Sequence, residues 1–166
     1  MKTLYLLRHA KSSWKDDSLL DIERPLNKRG RKAAETVGRF LRKKRIIPDL
    51  VLCSTAVRAR ETTEIVLAAA GRSLDIHFDE RIYEAGAERL LEVVAQIDKA
   101  KKRVLLVGHN PGLEEFLELL TATVKSMPTG TLAKIVLKTT NWASAGDVSG
   151  TLEWIRKPKQ LKKELS

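Results

Sequence analysis

A chain of 166 residues has room for one domain that buries roughly two thirds of its unfolded surface, and 43% hydrophobic against 31% charged residues excludes a disordered polyelectrolyte. No apolar run approaches the roughly 18 residues of a membrane span, and Met1 to Leu7 is short and lacks a cleavage site, so a cytoplasmic protein without membrane contact is predicted. The formal charge of +10 raises the question of nucleic acid, yet aromatic residues are only 5% and do not interleave with basic ones, so no nucleic-acid partner is expected.

Lys2 to Leu7 is apolar almost throughout, the pattern of a central parallel strand covered on both faces. It empties into Arg8-His9-Ala10 and a polar, irregular stretch to Ile22. Asn27 can cap a helix whose apolar positions Ala33, Val37, Phe40 and Leu41 recur at helical spacing, and which should stop before Pro48. Asp49 to Cys53 reads as the second strand, with Cys53 a small buried side chain that has no partner for an internal disulfide. A helix from about Ala56 to Ala70 follows, ended by Gly71. Leu74 to Phe78 suits a short edge strand, and His77 in it is an ordinary surface histidine. Glu88 to Ile97 carries a helical stripe of Leu90, Leu91, Val94 and Ile97, and the strand Arg103 to Val107 comes next.

That strand ends in Gly108-His109-Asn110-Pro111, where Asn110 is placed to cap a helix with Pro111 in its first position and Leu113, Phe116, Leu117 and Leu120 as its buried stripe. Leu132 to Leu137 and Thr151 to Ile155 form a closing antiparallel pair around a loop at Asn141 to Gly150. The prediction is therefore a three-layer α/β/α domain over residues 1–157, its sheet mostly parallel, with a frayed basic tail over 158–166. Of the basic clusters, Arg39 to Arg45 and Lys99 to Arg103 lie near helix C-terminal ends, where the dipole favours cations. Such a surface also steers acidic or phosphorylated partners.

In open α/β sheets ligands bind beyond the carboxyl ends of the strands. Arg8-His9, the segment Ser54 to Thr62 with Arg58, and His109 each follow a strand, so topology brings two imidazoles and at least two guanidiniums to one rim. That chemistry suits a phosphoryl group, because a guanidinium fork matches its oxygens. Arg60, two residues beyond Arg58, faces elsewhere on the helix. The histidines and carboxylates have no metal-ligand spacing, and the glycines form neither a dinucleotide fingerprint nor a P-loop.

Leu7-Arg8-His9-Ala10, Arg24-Pro25-Leu26-Asn27-Lys28-Arg29-Gly30, Ser54 to Thr62 and Val107-Gly108-His109-Asn110-Pro111 occur in the order found in the histidine phosphatase superfamily. The chain resembles that superfamily, with its phosphoglycerate mutase-like fold, and within it the short SixA-type phosphohistidine phosphatase branch. The resemblance implies a metal-independent phosphatase without cofactor, with His9 as nucleophile, Arg8, Arg58 and His109 binding the phosphoryl group, and Arg24 near the site entrance. It also points to a carboxylic proton donor within Asp79 to Gly86, either Glu84 or, second, Glu80, although the SixA-type branch can lack this acid. A plain surface carboxylate is the other reading of Glu84, and a loop-bracing salt bridge that of Arg24.

The expected partner is a phosphorylated protein carrying phosphohistidine, because one helix fills the interval from Glu84 to Arg103 where inserts would otherwise fold over a small substrate. A monomer is expected. Two rivals remain: the same chemistry on a small phosphomonoester or in a mutase, and a non-catalytic basic module that holds phosphate or nucleic acid.

Overall fold

The computed structural model describes residues 1–166, folded around one six-stranded sheet. The strands are β1 (Lys2–Arg8), β2 (Leu50–Cys53), β3 (Ile76–Phe78), β4 (Arg103–Gly108), β5 (Leu132–Leu137) and β6 (Thr151–Arg156), in the spatial order β3-β2-β4-β1-β5-β6. The first four of that order pair in parallel, and β5 and β6 close the other edge antiparallel. The helices are α1 (Lys28–Lys43), α2 (Val57–Ala69), α3 (Ala87–Ala95), α4 (Gly112–Thr121) and α5 (Pro158–Lys163). None is long and apolar enough to cross a membrane.

Successive residues of a strand face opposite sides, and the continuous apolar runs of β1 and β4 serve both layers. Leu4, Leu6, Leu52, Val104 and Leu106 face one core with Leu90 and Val94 of α3 and Phe116 and Leu117 of α4. Tyr5, Leu7, Val51, Cys53, Leu105 and Val107 face the other with Val37 and Leu41 of α1, Val66 of α2 and Leu161 of α5. Helices α1 and α2 approach so closely that a Cβ on Gly38 would stand 2.4 Å from the Val66 carbonyl oxygen, so only glycine fits there.

Three expectations are corrected. Residues 158–163 are a helix, anchored by a fully buried Leu161 and by the Lys43 ammonium on the Glu164 carbonyl at 2.7 Å, so this segment is not frayed. Helix α4 starts at Gly112 with Pro111 as its cap residue: the Asn110 side-chain NH2 is turned onto the Met127 carbonyl at 2.9 Å and Glu114 at 3.0 Å, and its Oδ1 accepts from no helix amide. The stretch expected as a loop at 141–150 also contains a short 3-10 helix, Trp142–Asp147, which buries Trp142 completely.

Register decides what meets at the rim. Arg8 pairs with Gly108 across β1 and β4, so the next residues, His9 and His109, leave the sheet side by side. Cys53 pairs with Val107, and the Ser54 amide continues the ladder onto the Val107 carbonyl at 3.1 Å. Three strand ends thus open on one spot.

Candidate active site

The rings of His9 and His109 lie 5.0 Å apart between centroids, in a cavity of about 390 Å³. Arg8, Arg24, Arg58, Lys11, Ser12, Trp14, Asn110 and Thr129 complete its lining, which contains no aspartate or glutamate. The structure therefore brings together Arg8, His9, Arg24, Arg58 and His109. Glu84 and Glu80 are both solvent-exposed and outside the lining, Glu84 in a left-handed backbone conformation at φ 54°. Arg60 is exposed, turned away from its neighbour Arg58, which is 6% exposed. His77 is exposed on the edge strand β3.

His9 is held in one tautomer. Its Nδ1 lies 2.7 Å from the Ala10 carbonyl oxygen, an atom that only accepts, so the proton resides on Nδ1 and Nε2 keeps its lone pair. Burial, and then the nearby guanidiniums, lower the imidazole pKa to about 4, so the ring is neutral at physiological pH. The loop that carries it is pinned on both sides: the His9 amide donates to the Gly108 carbonyl, and the Ala10 amide to Thr62 Oγ1 at 3.0 Å. Gly130, at φ 78°, offers its N–H to the carbonyls of both Arg8 and His9 at 3.1 Å.

His109 is likewise neutral, its pKa lowered to about 3 by burial and then by His9 and Arg58. Its Nε2 shares a hydrogen bond of 2.7 Å with the Ser54 hydroxyl, while Nδ1 is buried without a partner in the protein. Arg8 Nη1 donates to the Met127 carbonyl at 3.1 Å, and Arg58 donates from Nη1 to the Asp21 carbonyl at 2.7 Å and from Nη2 to its carboxylate at 3.0 Å. The Nε of each arginine is buried and unpartnered. A buried donor without an acceptor costs about 1–3 kcal/mol, and here two guanidinium N–H groups and an imidazole nitrogen are left so in residues lining one cavity. With Arg8, Arg24, Arg58 and Lys11 in a lining free of carboxylates, the cavity suits an anion with several oxygens.

Asp21, Tyr83 and Ser54 are structural members of the site to which residue-by-residue reading assigns no role. The Asp21 carboxylate accepts from the Tyr83 hydroxyl at 2.5 Å, from Arg58 and, through its other oxygen, from Arg24 Nε at 3.1 Å. The Tyr83 hydroxyl above all, and then the arginines, hold its pKa down to about 2 against the cost of burial, so it is an anion that orients guanidiniums and not a proton donor. Tyr83 in turn packs edge-on against His109 with centroids 5.5 Å apart. Asp21 lies in the irregular stretch before α1, where no periodicity marks a residue; its one local signal is a spacing of three residues from Arg24, in a stretch that holds other carboxylates as well. That arginine both braces the loop, through Asp21 and a 2.6 Å bond to the Ser12 hydroxyl, and lines the pocket, stacked 3.5 Å under the exposed ring of Trp14.

The family model of the histidine phosphatase superfamily (branch 1) matches residues 4–90, and the chain belongs to that superfamily. An uncharacterized chloroplastic protein of Arabidopsis thaliana is 32% identical over 162 residues, spanning 92% of this chain and 74% of that one. An uncharacterized protein of Mycobacterium tuberculosis is 38% identical over 105 residues, 63% of each chain. Among solved structures, a candidate phosphohistidine phosphatase SixA from Agrobacterium tumefaciens superposes with a TM-score of 0.80 at 32% identity, over 95% of this chain and 98% of that one. A counterpart from Nakamurella multipartitia gives 0.82 at 29%, over 95% and 96%. Family and neighbours together make the protein a phosphatase of the hydrolase class, with the fold of the phosphoglycerate mutase-like proteins and a SixA-type architecture.

Proposed function

We propose that the protein removes phosphoryl groups from phosphohistidine in proteins, through a covalent intermediate on His9. The observation that carries this is the state of His9: a neutral ring, Nδ1–H fixed on the Ala10 carbonyl, next to guanidiniums with unpartnered N–H groups and with no carboxyl group lining the pocket. The likeness to SixA-type neighbours supports the same substrate class.

The chemistry balances without a carboxylic acid. His9 Nε2 attacks phosphorus, the P–N bond of the substrate breaks, and the substrate imidazole departs neutral because its other ring nitrogen carries a proton. Arg8 and Arg58 neutralise the phosphoryl oxygens throughout, where a largely dissociative transfer gathers its charge, and the neutral His109 ring contributes a hydrogen bond beside them. In the second half a water attacks, the P–Nε2 bond breaks, and both water protons leave on inorganic phosphate. His9 departs as a neutral imidazole because the Ala10 carbonyl has kept its Nδ1 proton in place. An alkyl phosphate would leave as an alkoxide, and that needs a donor within reach of the oxygen.

The test is a competition between a histidine-phosphotransfer domain phosphorylated in vitro and small alkyl phosphomonoesters. The phosphorylated domain is expected to be dephosphorylated with a kcat/KM at least about a hundredfold higher, and Glu84→Gln to retain activity within about twofold. Efficient hydrolysis of alkyl phosphates with the phosphorylated domain untouched, or loss of activity in Glu84→Gln, would overturn the reading.

A further inference from the structure

A second cavity, of about 460 Å³, runs between α1 and α5. Arg29, Lys32 and Arg39 line it from α1, and Lys159 and Lys162 from α5, against one carboxylate, Glu35. The spacing explains the geometry: positions 29, 32, 36 and 39 share one helical face, as do 159 and 162, so two cationic stripes oppose each other. None of these five cations has a carboxylate within 4 Å, whereas Lys44 and Arg156 nearby are both paired with Glu164. Holding like charges together in a groove is unfavourable unless something anionic compensates them. The helix dipole does not account for it, because Arg29 and Lys32 stand in the first turns of α1, the end that repels cations.

The groove adjoins the active-site pocket. A Cβ on Gly130 would stand 3.2 Å from Pro158 and 3.7 Å from Ala33, which line the groove, while Thr129, the residue before it, lines the pocket. On the other side, the first turn of α1 rests on Lys11, a pocket residue, whose carbonyl oxygen is 2.1 Å from a Cβ built on Gly30. A small metabolite with its phosphorus at His9 ends inside the 390 Å³ pocket. A protein with a phosphorylated side chain at the same place extends past the rim of that pocket, beside which the groove lies.

Resting on a protein substrate for the pocket, we infer that the α1–α5 groove docks an acidic face of the phosphorylated protein beside its phosphohistidine. The groove has no aromatic side chain on which a nucleic-acid base could stack, and its cations form a two-sided trough suited to a carboxylate-rich helix or loop. Opposite charge across such an interface accelerates encounter and fixes orientation, so its loss appears in KM more than in kcat.

The test compares the wild type with the triple variant Lys32→Glu/Lys159→Glu/Lys162→Glu on two substrates: an acidic histidine-phosphotransfer domain phosphorylated in vitro, and free phosphohistidine. Docking predicts KM for the phosphorylated domain raised about tenfold or more in the variant, kcat/KM for free phosphohistidine within about twofold, and a matching rise in wild-type KM when salt goes from about 0.05 to about 0.3 M. Unchanged KM on the phosphorylated domain, with the variant folded by circular dichroism, would overturn the inference while leaving the phosphohistidine reading intact. Wild-type protein that hydrolyses free phosphohistidine but not the phosphorylated domain would overturn both. Tighter binding of a single-stranded oligonucleotide than of the phosphorylated domain, lost in the variant, would assign the groove to nucleic acid instead.

Discussion

The two ends of the same parallel strands treat their buried polar groups in opposite ways. At the amino end, Lys2 is 4% exposed, yet its ammonium donates to the carbonyls of Lys99 and Lys101, and Trp142 Nε1 donates to the latter at 2.8 Å. The exposed Asp49 beside them accepts from the amides of Lys102 at 2.7 Å and Arg103 at 3.0 Å. At the carboxyl end, Arg8, Arg58, His109, Asn110 and Thr131 each keep one buried side-chain polar atom without a partner in the protein, and no other buried side chain does so. Native proteins satisfy nearly all such groups, so a concentration of exceptions at one end marks the place where stability is given up for function. The amino end closes the fold; the carboxyl end opens on a cavity lined by cations and no carboxylate.

This contrast can be broken from either side. The largest expected effect is at Asp21. Asp21→Asn removes the anion that holds Arg58 and Arg24, and a displaced guanidinium is expected to lower kcat/KM by about ten- to a hundredfold with little change in melting temperature. A large fall in stability with activity per folded molecule preserved would make Asp21 a structural brace only. At the other end, Lys2→Met leaves the Lys99 carbonyl unpaired and should cost about 1–3 kcal/mol of stability while activity per folded molecule stays level. Chemical denaturation with kinetics on the folded fraction separates the two outcomes.

A smaller, sharper effect concerns protonation. The folded pKa of His9, about 4, lies below its ordinary value of 6.5, so the unfolded chain binds the proton more readily. Stability contributed by the neutral ring is therefore present above pH 6.5, declines as pH falls towards about 4, and falls no further from this group below that. An NMR titration should place the His9 midpoint near 4, and a midpoint near 6.5 would contradict the buried, neutral ring.

The parts of this molecule that could be read from sequence are those where one local signal suffices. The apolar runs of β1 and β4 announce strands covered on both faces, and Arg8, His9 and His109 follow them directly, so topology alone brings the two rings together. Asn27 is legible as a cap because it has a helix face behind it, and its side chain accepts from the Gly30 amide. Asn110 carries the same local pattern, but tertiary contacts orient its side chain: its NH2 donates to the distant Met127 carbonyl, and its Oδ1 accepts from no helix amide. Helix α5 is hidden because a single apolar residue, Leu161, anchors it among lysines, too little for periodicity to register. Asp21 escapes for a related reason, since two of its three partners, Arg58 and Tyr83, are brought to it from distant segments only by folding.

The central claim is that His9 Nε2 carries the phosphoryl group between substrate and water. Rapid mixing with a phosphorylated histidine-phosphotransfer domain, an alkaline quench to preserve phosphohistidine, and peptide mass spectrometry test it directly. The account predicts a phosphoryl group on the peptide containing His9, appearing within the first turnover, decaying as phosphate is released, and absent in His9→Ala together with turnover. Phosphate release by the wild type with His9 never phosphorylated, or sustained turnover in His9→Ala, would contradict it.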